Sequence, residues 1–244
     1  MNHGEPQLGP DKEPARISGM FDAIAHRYDL LNHLLSAGLD VYWRARAIRS
    51  LALQGGETVI DLCTGTCDLA IAATGGTRGA GRVVGVDFSR EMLRFGARKL
   101  AAGGLVARVR LIQGDAMRLP LAGASAEGAT VAFGIRNVED PAVVFSDVFR
   151  VLRPGGRFAI LEFGLPRTSG VRQLYLAYFR HVLPRIGRLI SGHTSAYTYL
   201  PASVATFPEP ARLVSLLENV GFVGARAVPL TLGVVYLYSA RKPV

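Results

Sequence analysis

Only two cysteines, Cys63 and Cys67, stand in the 244 residues, four positions apart in "TVIDLCTGTCDLAIAA" (58–73). Two cysteines cannot frame a disulfide scaffold in a chain of this length. As metal or redox groups they lack the other ligands of a zinc site and the C-x-x-C spacing, so no metal is expected. No stretch of about 18 apolar residues occurs, which gives no transmembrane helix. The polar start "MNHGEPQLGPDKEPAR" lacks the apolar core of a secretory signal; it reads as an unstructured tail, and a cytoplasmic location is the expectation. There is no Walker A sequence and no G-x-G-x-x-G, which argues against nucleotide hydrolysis and against a nicotinamide cofactor. Lysine is scarce too: 3 against 25 arginines, within a formal net charge of +9. Without a block of consecutive Lys or Arg, the basic excess does not point to nucleic acid.

What is present is alternation. Residues 17–53 carry apolar side chains at helical spacing, with Gly38 as a break. Strands then alternate with helices: "ETVIDLC", "RVVGVDFS", "ARVRLIQGDA", "GATVAFGI" and "RFAILEFG" are strands, the last entered through a "PGG" turn. Ser89 caps the helix "REMLRFGARKLAA", and Pro141 opens the helix "DPAVVFSDVFRVL". Such alternation builds a parallel sheet covered on both faces. The end differs: "GARAVPLT" and "VVYLYSAR" are separated by "LG" alone, which permits only an antiparallel hairpin. Five parallel units closed by such a hairpin resemble the Rossmann-like fold of class I S-adenosylmethionine-dependent methyltransferases, an α/β fold with a mostly parallel seven-stranded sheet, here with extra N-terminal helices.

The first strand ends in Asp61, and Gly65 and Thr66 make the turn behind it. Ligands of open α/β sheets lie at the carboxyl ends of the strands. Asp87 ends the second strand 22 residues after Gly65, where a carboxylate can accept hydrogen bonds from a ribose. The "GDA" after the third strand offers Asp115 to an adenine amino group, with the backbone N–H of Ala116 beside it. Cys67 is expected in the first helical turn with ordinary negative φ, its N–H facing the cofactor's methionine carboxylate. Cys63 is expected to pack as a small apolar residue.

Four segments are more specific: "YDLLNHLLSAGLDVYWR" (28–44), "FGIRNVEDP" (133–141), "RVLRPGGRFAILEFG" (150–164) and "HVLPRIGRLISGHTSAYTYLPASVATFP" (181–208). They resemble the UbiE/MenG family, the C-methyltransferases of menaquinone and ubiquinone biosynthesis, including the demethylmenaquinone methyltransferases. The chain departs from the family pattern at Leu31 (usually Met), Asp40 (His), Cys67 (Gly), Ala132 (Ser), and in Glu162-Phe163-Gly164 (E-x-S). The resemblance implies S-adenosylmethionine as cofactor, held by Asp61, Gly65, Thr66, Asp87, Asp115 and Ala116. It implies a polyprenyl quinol as substrate: demethylmenaquinol first, a polyprenyl benzoquinol of ubiquinone synthesis as the alternative. Arg136 and Asn137 stand beside the expected methyl donor, where Arg136 can stabilise a phenolate. Asp68 is the best carboxylate for catalysis, with His181 as runner-up base. Tyr197 and Tyr199 either line the quinone pocket or are core aromatics. The layout read from this is a tail over 1–16 and one domain over 17–244, with a helical cap (17–53) and a helical insertion on the substrate side (165–207).

The segment 171–190 has apolar residues at helical spacing with Arg172, Arg180, Arg185 and Arg188 among them. That pattern fits a helix with one face on the pocket and peripheral contact with an anionic membrane. The sequence leaves room for a homodimer. Two readings compete: a non-catalytic subunit of a quinone-synthesis complex, which would not need Asp87, Asp115, Arg136 and Asn137, and an RNA methyltransferase, for which no extra RNA-binding module is visible.

Overall fold

The computed structural model describes residues 14–182, 185 and 195–244. Seven strands form one sheet in the order β3-β2-β1-β4-β5-β7-β6. These are β1 (Thr58–Leu62), β2 (Arg82–Asp87), β3 (Val109–Gln113), β4 (Ala126–Ala132), β5 (Leu152–Phe163), β6 (Val223–Leu230) and β7 (Val235–Arg241). The first five pair in parallel, and β7 lies antiparallel between β5 and β6. Together with the helices, this is the expected α/β architecture. The "LG" link makes a two-residue turn in which Leu232 (φ 59) and Gly233 (φ 88) are both left-handed and the Val234 N–H donates to Thr231 O at 3.2 Å. That twist suits a tight hairpin.

Nine helices of α type are described: α1 (Pro14–Ile24), α2 (Tyr28–Leu35), α3 (Leu39–Ser50), α4 (Asp68–Ala73), α5 (Arg90–Ala102), α6 (Pro141–Val151), α7 (Ser169–Ala177), α8 (Ser195–Thr206) and α9 (Pro210–Val220). Ser89 caps α5 by accepting from the Met92 N–H at 3.1 Å, as its type and place predict. Three boundaries correct the sequence reading. Residues 14–16 belong to α1 rather than to the tail, whose other residues lie outside the described ones. The N-terminal helical stretch is broken at Gly38 (φ 77), as expected, and also by a 3-10 turn at Ala25–Arg27 that the sequence reading did not include. The "PGG" is not a separate turn but lies within β5, with a register shift against β4 and Gly155 at φ 79; the left-handed position is one that glycine adopts without strain.

The sheet is buried on both sides, as continuous apolar strands require. One core layer joins Ile60, Phe145, Phe158, Leu213 and Leu217; the other joins Val59, Leu69, Leu100 and Leu161 with Trp43 and Ala47 of α3. Trp43 is buried, and its Nε1–H donates to Thr231 Oγ1 at 2.8 Å. This bond and the apolar burial fasten α3, outside the alternating core, onto the sheet beside the cofactor end. Among the described residues no helix is long and apolar enough to cross a membrane.

Candidate active site

A cleft opens at the carboxyl ends of the central strands. Its floor is the turn after β1, with Gly65 at φ 54. Asp87 at the end of β2 and Asp115 and Ala116 after β3 form one side; Ala132, Phe133 and Gly134 after β4 form the other. Ile17, Phe21 and Tyr28 from the N-terminal helices close over it.

The carboxylates are held in place by the backbone and hydroxyls around them. Asp87 accepts the Gly65 N–H through Oδ2 at 2.8 Å and the Ser89 N–H through Oδ1 at 2.9 Å. Asp61 accepts the hydroxyls of Thr64 (2.6 Å) and Thr130 (2.7 Å). Burial dominates both groups and raises their pKa to about 6, against the opposing pull of those hydrogen bonds. Asp115 accepts the Met117 N–H at 2.8 Å, which fixes the turn carrying Ala116.

These residues fit S-adenosylmethionine. Each Asp87 oxygen keeps a lone pair after its one backbone bond, enough for two ribose hydroxyls. At Gly65 the nearest atom to an added Cβ would be Tyr28 Cε1 at 3.9 Å, so the loop is open toward the cleft. The Thr66 hydroxyl, by contrast, is engaged by Asp29 Oδ1 of α2.

Arg136 lies in the 3-10 turn after β4 and is buried at 6% exposure. Its Nη1 donates to Glu162 Oε1 at 2.7 Å and to Phe133 O, and its backbone N–H donates to Glu162 Oε2 at 3.1 Å. The guanidinium stands 5.4 Å from the centroid of Phe163. Its Nε is buried and has no hydrogen-bond acceptor among the described residues. Asn137 lines the cleft, and the Tyr199 hydroxyl donates to its Oδ1 at 3.2 Å. The structure therefore brings together Arg136, Asn137 and Tyr199.

It does not do so for every expected residue. Asp68 is paired with two cations, Lys99 at 2.5 Å and Arg44 at 3.1 Å. His181 is exposed and does not line the cleft. Tyr197 sits on α8, but its side chain lies outside the described residues.

Glu162, Arg44 and Tyr28 were not singled out from the sequence as site residues. The signal for Glu162 was available: one carboxylate in the apolar run "FAILEF", fully buried in the structure, requires a partner.

Cys67 corrects the expectation made for it. Its backbone is left-handed (φ 71), and its N–H donates to Thr64 O at 2.8 Å rather than being available to a ligand. The thiol is buried, and that burial pushes its pKa up to about 12; burial likewise raises that of Cys63 well above the ordinary range. Neither is poised as a nucleophile. Cys63 also lines the cleft besides packing against the core. The space for the Cys67 sulfur comes from Gly96 of α5: a Cβ there would stand 2.3 Å from Cys67 Sγ. Gly96→Ala is expected to destabilise the protein by roughly 1–3 kcal/mol through overpacking. In a Cys67→Gly background the same substitution should become neutral or stabilising, because the collision is gone and Ala favours the helix. Additive effects in thermal unfolding would refute this coupling.

Comparison with known proteins follows the same line. The ubiE/COQ5 methyltransferase family matches residues 10–242. A ubiquinone/menaquinone biosynthesis C-methyltransferase of Syntrophotalea carbinolica is 46% identical, over 95% of this chain and 94% of its own. A demethylmenaquinone methyltransferase of Thermus thermophilus is 42% identical, over 92% and 100%. Among solved structures, a SAM-dependent methyltransferase from Aquifex aeolicus superposes with a TM-score of 0.59 at 17% identity, over 94% and 98%. The phosphoethanolamine N-methyltransferase 2 of Haemonchus contortus, in complex with S-adenosyl-L-methionine, does so with 0.62 at 15%, over 83% and 53%. These two likenesses speak for the fold.

Proposed function

Because this chain belongs to the ubiE/COQ5 methyltransferase family, we propose that it methylates a ring carbon of a reduced polyprenyl quinone. Demethylmenaquinol is the first substrate, and a polyprenyl benzoquinol of ubiquinone synthesis is the second. The observation that carries the reading is the turn after β4, whose Asn137 lines the cleft while the adjoining Arg136 is buried against a fully buried Glu162.

When bound, S-adenosylmethionine supplies an electrophilic methyl group. The protein must make the ring carbon nucleophilic, and ionising the quinol does so. Arg136 stays protonated, so it acts on charge rather than as a base. Its buried Nε–H, without an acceptor among the described residues, is the donor that would meet a phenolate oxygen. Glu162 holds the guanidinium in place, so no reorganisation is needed as charge develops. Asn137, fixed by the Tyr199 hydroxyl, orients the ring or the water that takes its proton. Asp87 and Asp115 hold ribose and adenine, while Phe21, Met92 and Phe133 exclude water from the cleft. Transfer of labelled methyl to reduced demethylmenaquinone, run beside a reduced benzoquinone precursor, tests the reading; no transfer to either quinol refutes it.

Peripheral contact with an anionic membrane belongs to the same proposal, since the substrate's tail resides in a bilayer. Of the twelve large apolar side chains that are exposed among the described residues, seven fall in two segments: Leu30, Leu34, Leu39, Val41, Tyr42, and then Leu174 and Val182. The Tyr178 hydroxyl donates to Leu35 O at 3.2 Å and joins the segments. Exposed Arg49, Arg172 and Arg185 lie just outside these segments along the chain, and cations flanking exposed apolar side chains support a lipid-facing surface. Flotation with vesicles is expected to rise with anionic lipid, fall at high salt, and weaken in a Leu30→Ser/Leu34→Ser variant. Equal binding to neutral vesicles at high salt would rule out the electrostatic part. A homodimer would cover the same face, and sedimentation without lipid distinguishes it.

A further inference from the structure

A groove on the terminal hairpin shares no lining residue with the cofactor cleft. Its floor is the face that carries Ala227, Pro229 and Tyr236, the last two being register partners across β6 and β7. Two helices begin at its wall: Thr168 is the N-cap residue of α7, and Pro210 and Ala211 open α9. Neither N-cap residue, Thr168 or Glu209, places its side chain on the first-turn N–H groups. In α9 the N–H groups of Arg212 and Leu213 return to Glu209 O, at 2.9 and 3.2 Å, and Pro210 has none to give. The N–H of Ala211, in the groove wall, donates to no acceptor among the described residues. Free donors at helix starts favour an anion.

Tyr236 is an independent sign of a ligand. It is only 4% exposed, and its hydroxyl has no hydrogen-bond partner among the described residues. A tyrosine hydroxyl that deep in a protein ordinarily has one. Two glycines make room for the ring: a Cβ on Gly164 would stand 2.6 Å from Cδ2, and one on Gly233 would stand 3.3 Å from the hydroxyl. Gly233 lines the groove and Gly164 does not. The ring is therefore bedded on Gly164, and its polar end is delivered to the groove. Arg167, exposed at the rim, supplies a cation that is in no ion pair among the described residues.

We propose that this groove binds a phosphate group, with Arg167, the Ala211 N–H and the Tyr236 hydroxyl as its donors. The three come from a loop, a helix start and a strand, so a group with several oxygens facing different ways meets them together, which a flat carboxylate does not. Ala227, Pro229 and Leu232 add an apolar side, and Leu232 is 73% exposed. From Thr168, α7 leads in about 9 Å to the exposed Leu174. A lipid headgroup can therefore supply the phosphate as well as the free ion can. The site goes beyond methyl transfer and does not rest on it.

Titration of the full chain, followed by its amide NMR signals, tests the site without cofactor or turnover. The probes are inorganic phosphate, dihexanoyl phosphatidic acid kept below its micelle concentration, and dihexanoylglycerol, which has the tails and no phosphate. Both phosphate probes are expected to shift the Ala211 amide saturably, and dihexanoylglycerol is not. Tyr236→Phe leaves the ring on its glycines, so the fold is kept; it should weaken both phosphate probes about tenfold, the scale of one hydrogen bond to a charged group. Arg167→Gln should do the same. Phosphatidic acid binding about tenfold tighter than inorganic phosphate makes a lipid the source, and equal affinities make it the free ion. No saturable binding of either phosphate probe overturns the proposal, as does dihexanoylglycerol binding as well as phosphatidic acid. So does weakening by Arg167→Gln with none by Tyr236→Phe, which would reduce the contact to a surface charge. Methyl transfer to a quinol is measured with none of these probes, so either reading can fail while the other stands.

Discussion

Arg136→Ala is expected to lower kcat by about 10²–10³ at saturating cofactor, the scale for a lost donor to developing charge, while S-adenosylmethionine affinity stays nearly intact. The expectation follows from where the guanidinium sits: in the turn after β4, bound to Glu162 and Phe133, with a buried Nε–H still to be satisfied. The same substitution leaves Glu162 buried with no cation, which should cost roughly 3–5 kcal/mol of stability. Stability and catalysis can be separated. Adding Glu162→Gln should restore much of the melting temperature, because an amide tolerates burial better than an unpaired carboxylate, but it should not restore turnover. Arg136→Lys should rescue in part only, since a point charge replaces the planar fork. If the double variant regains activity along with stability, Arg136 is a structural residue. If cofactor binding collapses while turnover at saturation survives, its place in the reaction is wrong.

The second large effect is at Asp87. Asp87→Ala should weaken S-adenosylmethionine binding by roughly 1.5–3 kcal/mol, the range for hydrogen bonds to a charged group. Two backbone donors, Gly65 and Ser89, lose their acceptor as well, so the loop that frames the cofactor loosens with it. Asp87 also carries a pH signature. Its pKa in the fold is raised from 3.8 to about 6 by burial, and that of Asp61 is raised in the same way. A raised value means that the folded state holds protons which the unfolded chain releases. The contribution to stability is therefore present in full below about pH 4 and lost as pH rises through about 6. Cofactor binding runs the other way: ribose hydroxyls donate to the ionised carboxylate, and a cationic ligand favours it. Affinity should therefore rise between pH 5 and pH 7, with a proton released on binding. Calorimetry in buffers of different ionisation enthalpy measures that proton. A flat affinity across this window would sink the assignment of these carboxylates to the cofactor, and Asp87→Ala with unchanged affinity would sink the ribose contact.

Much of the frame was legible because it depends on neighbours in the chain. Apolar periodicity separates strand from helix, Ser89 caps α5 by bonding three residues ahead, and a two-residue link compels an antiparallel pair whatever surrounds it. The spacing from Gly65 to Asp87 is one βα unit, so both fall at the same end of adjacent strands, where Asp61 pairs with Gly85. Tertiary structure alone decided the rest. No local rule places β7 between β5 and β6 rather than outside them. Glu162 meets Arg136 across 26 residues because β4 and β5 are in register, and Lys99 meets Asp29 across 70 residues because α2 closes on α5. Asp68, read along the chain as the carboxylate for catalysis, meets Lys99 and Arg44 only once α3, α4 and α5 pack together. The sulfur of Cys67 has its place only because Gly96 of another helix carries no Cβ there. Backbone preferences act over a few residues and can be read along the chain. Charge pairing and steric fit act through space, and which groups come within a few ångströms is known only once the sheet has been assembled.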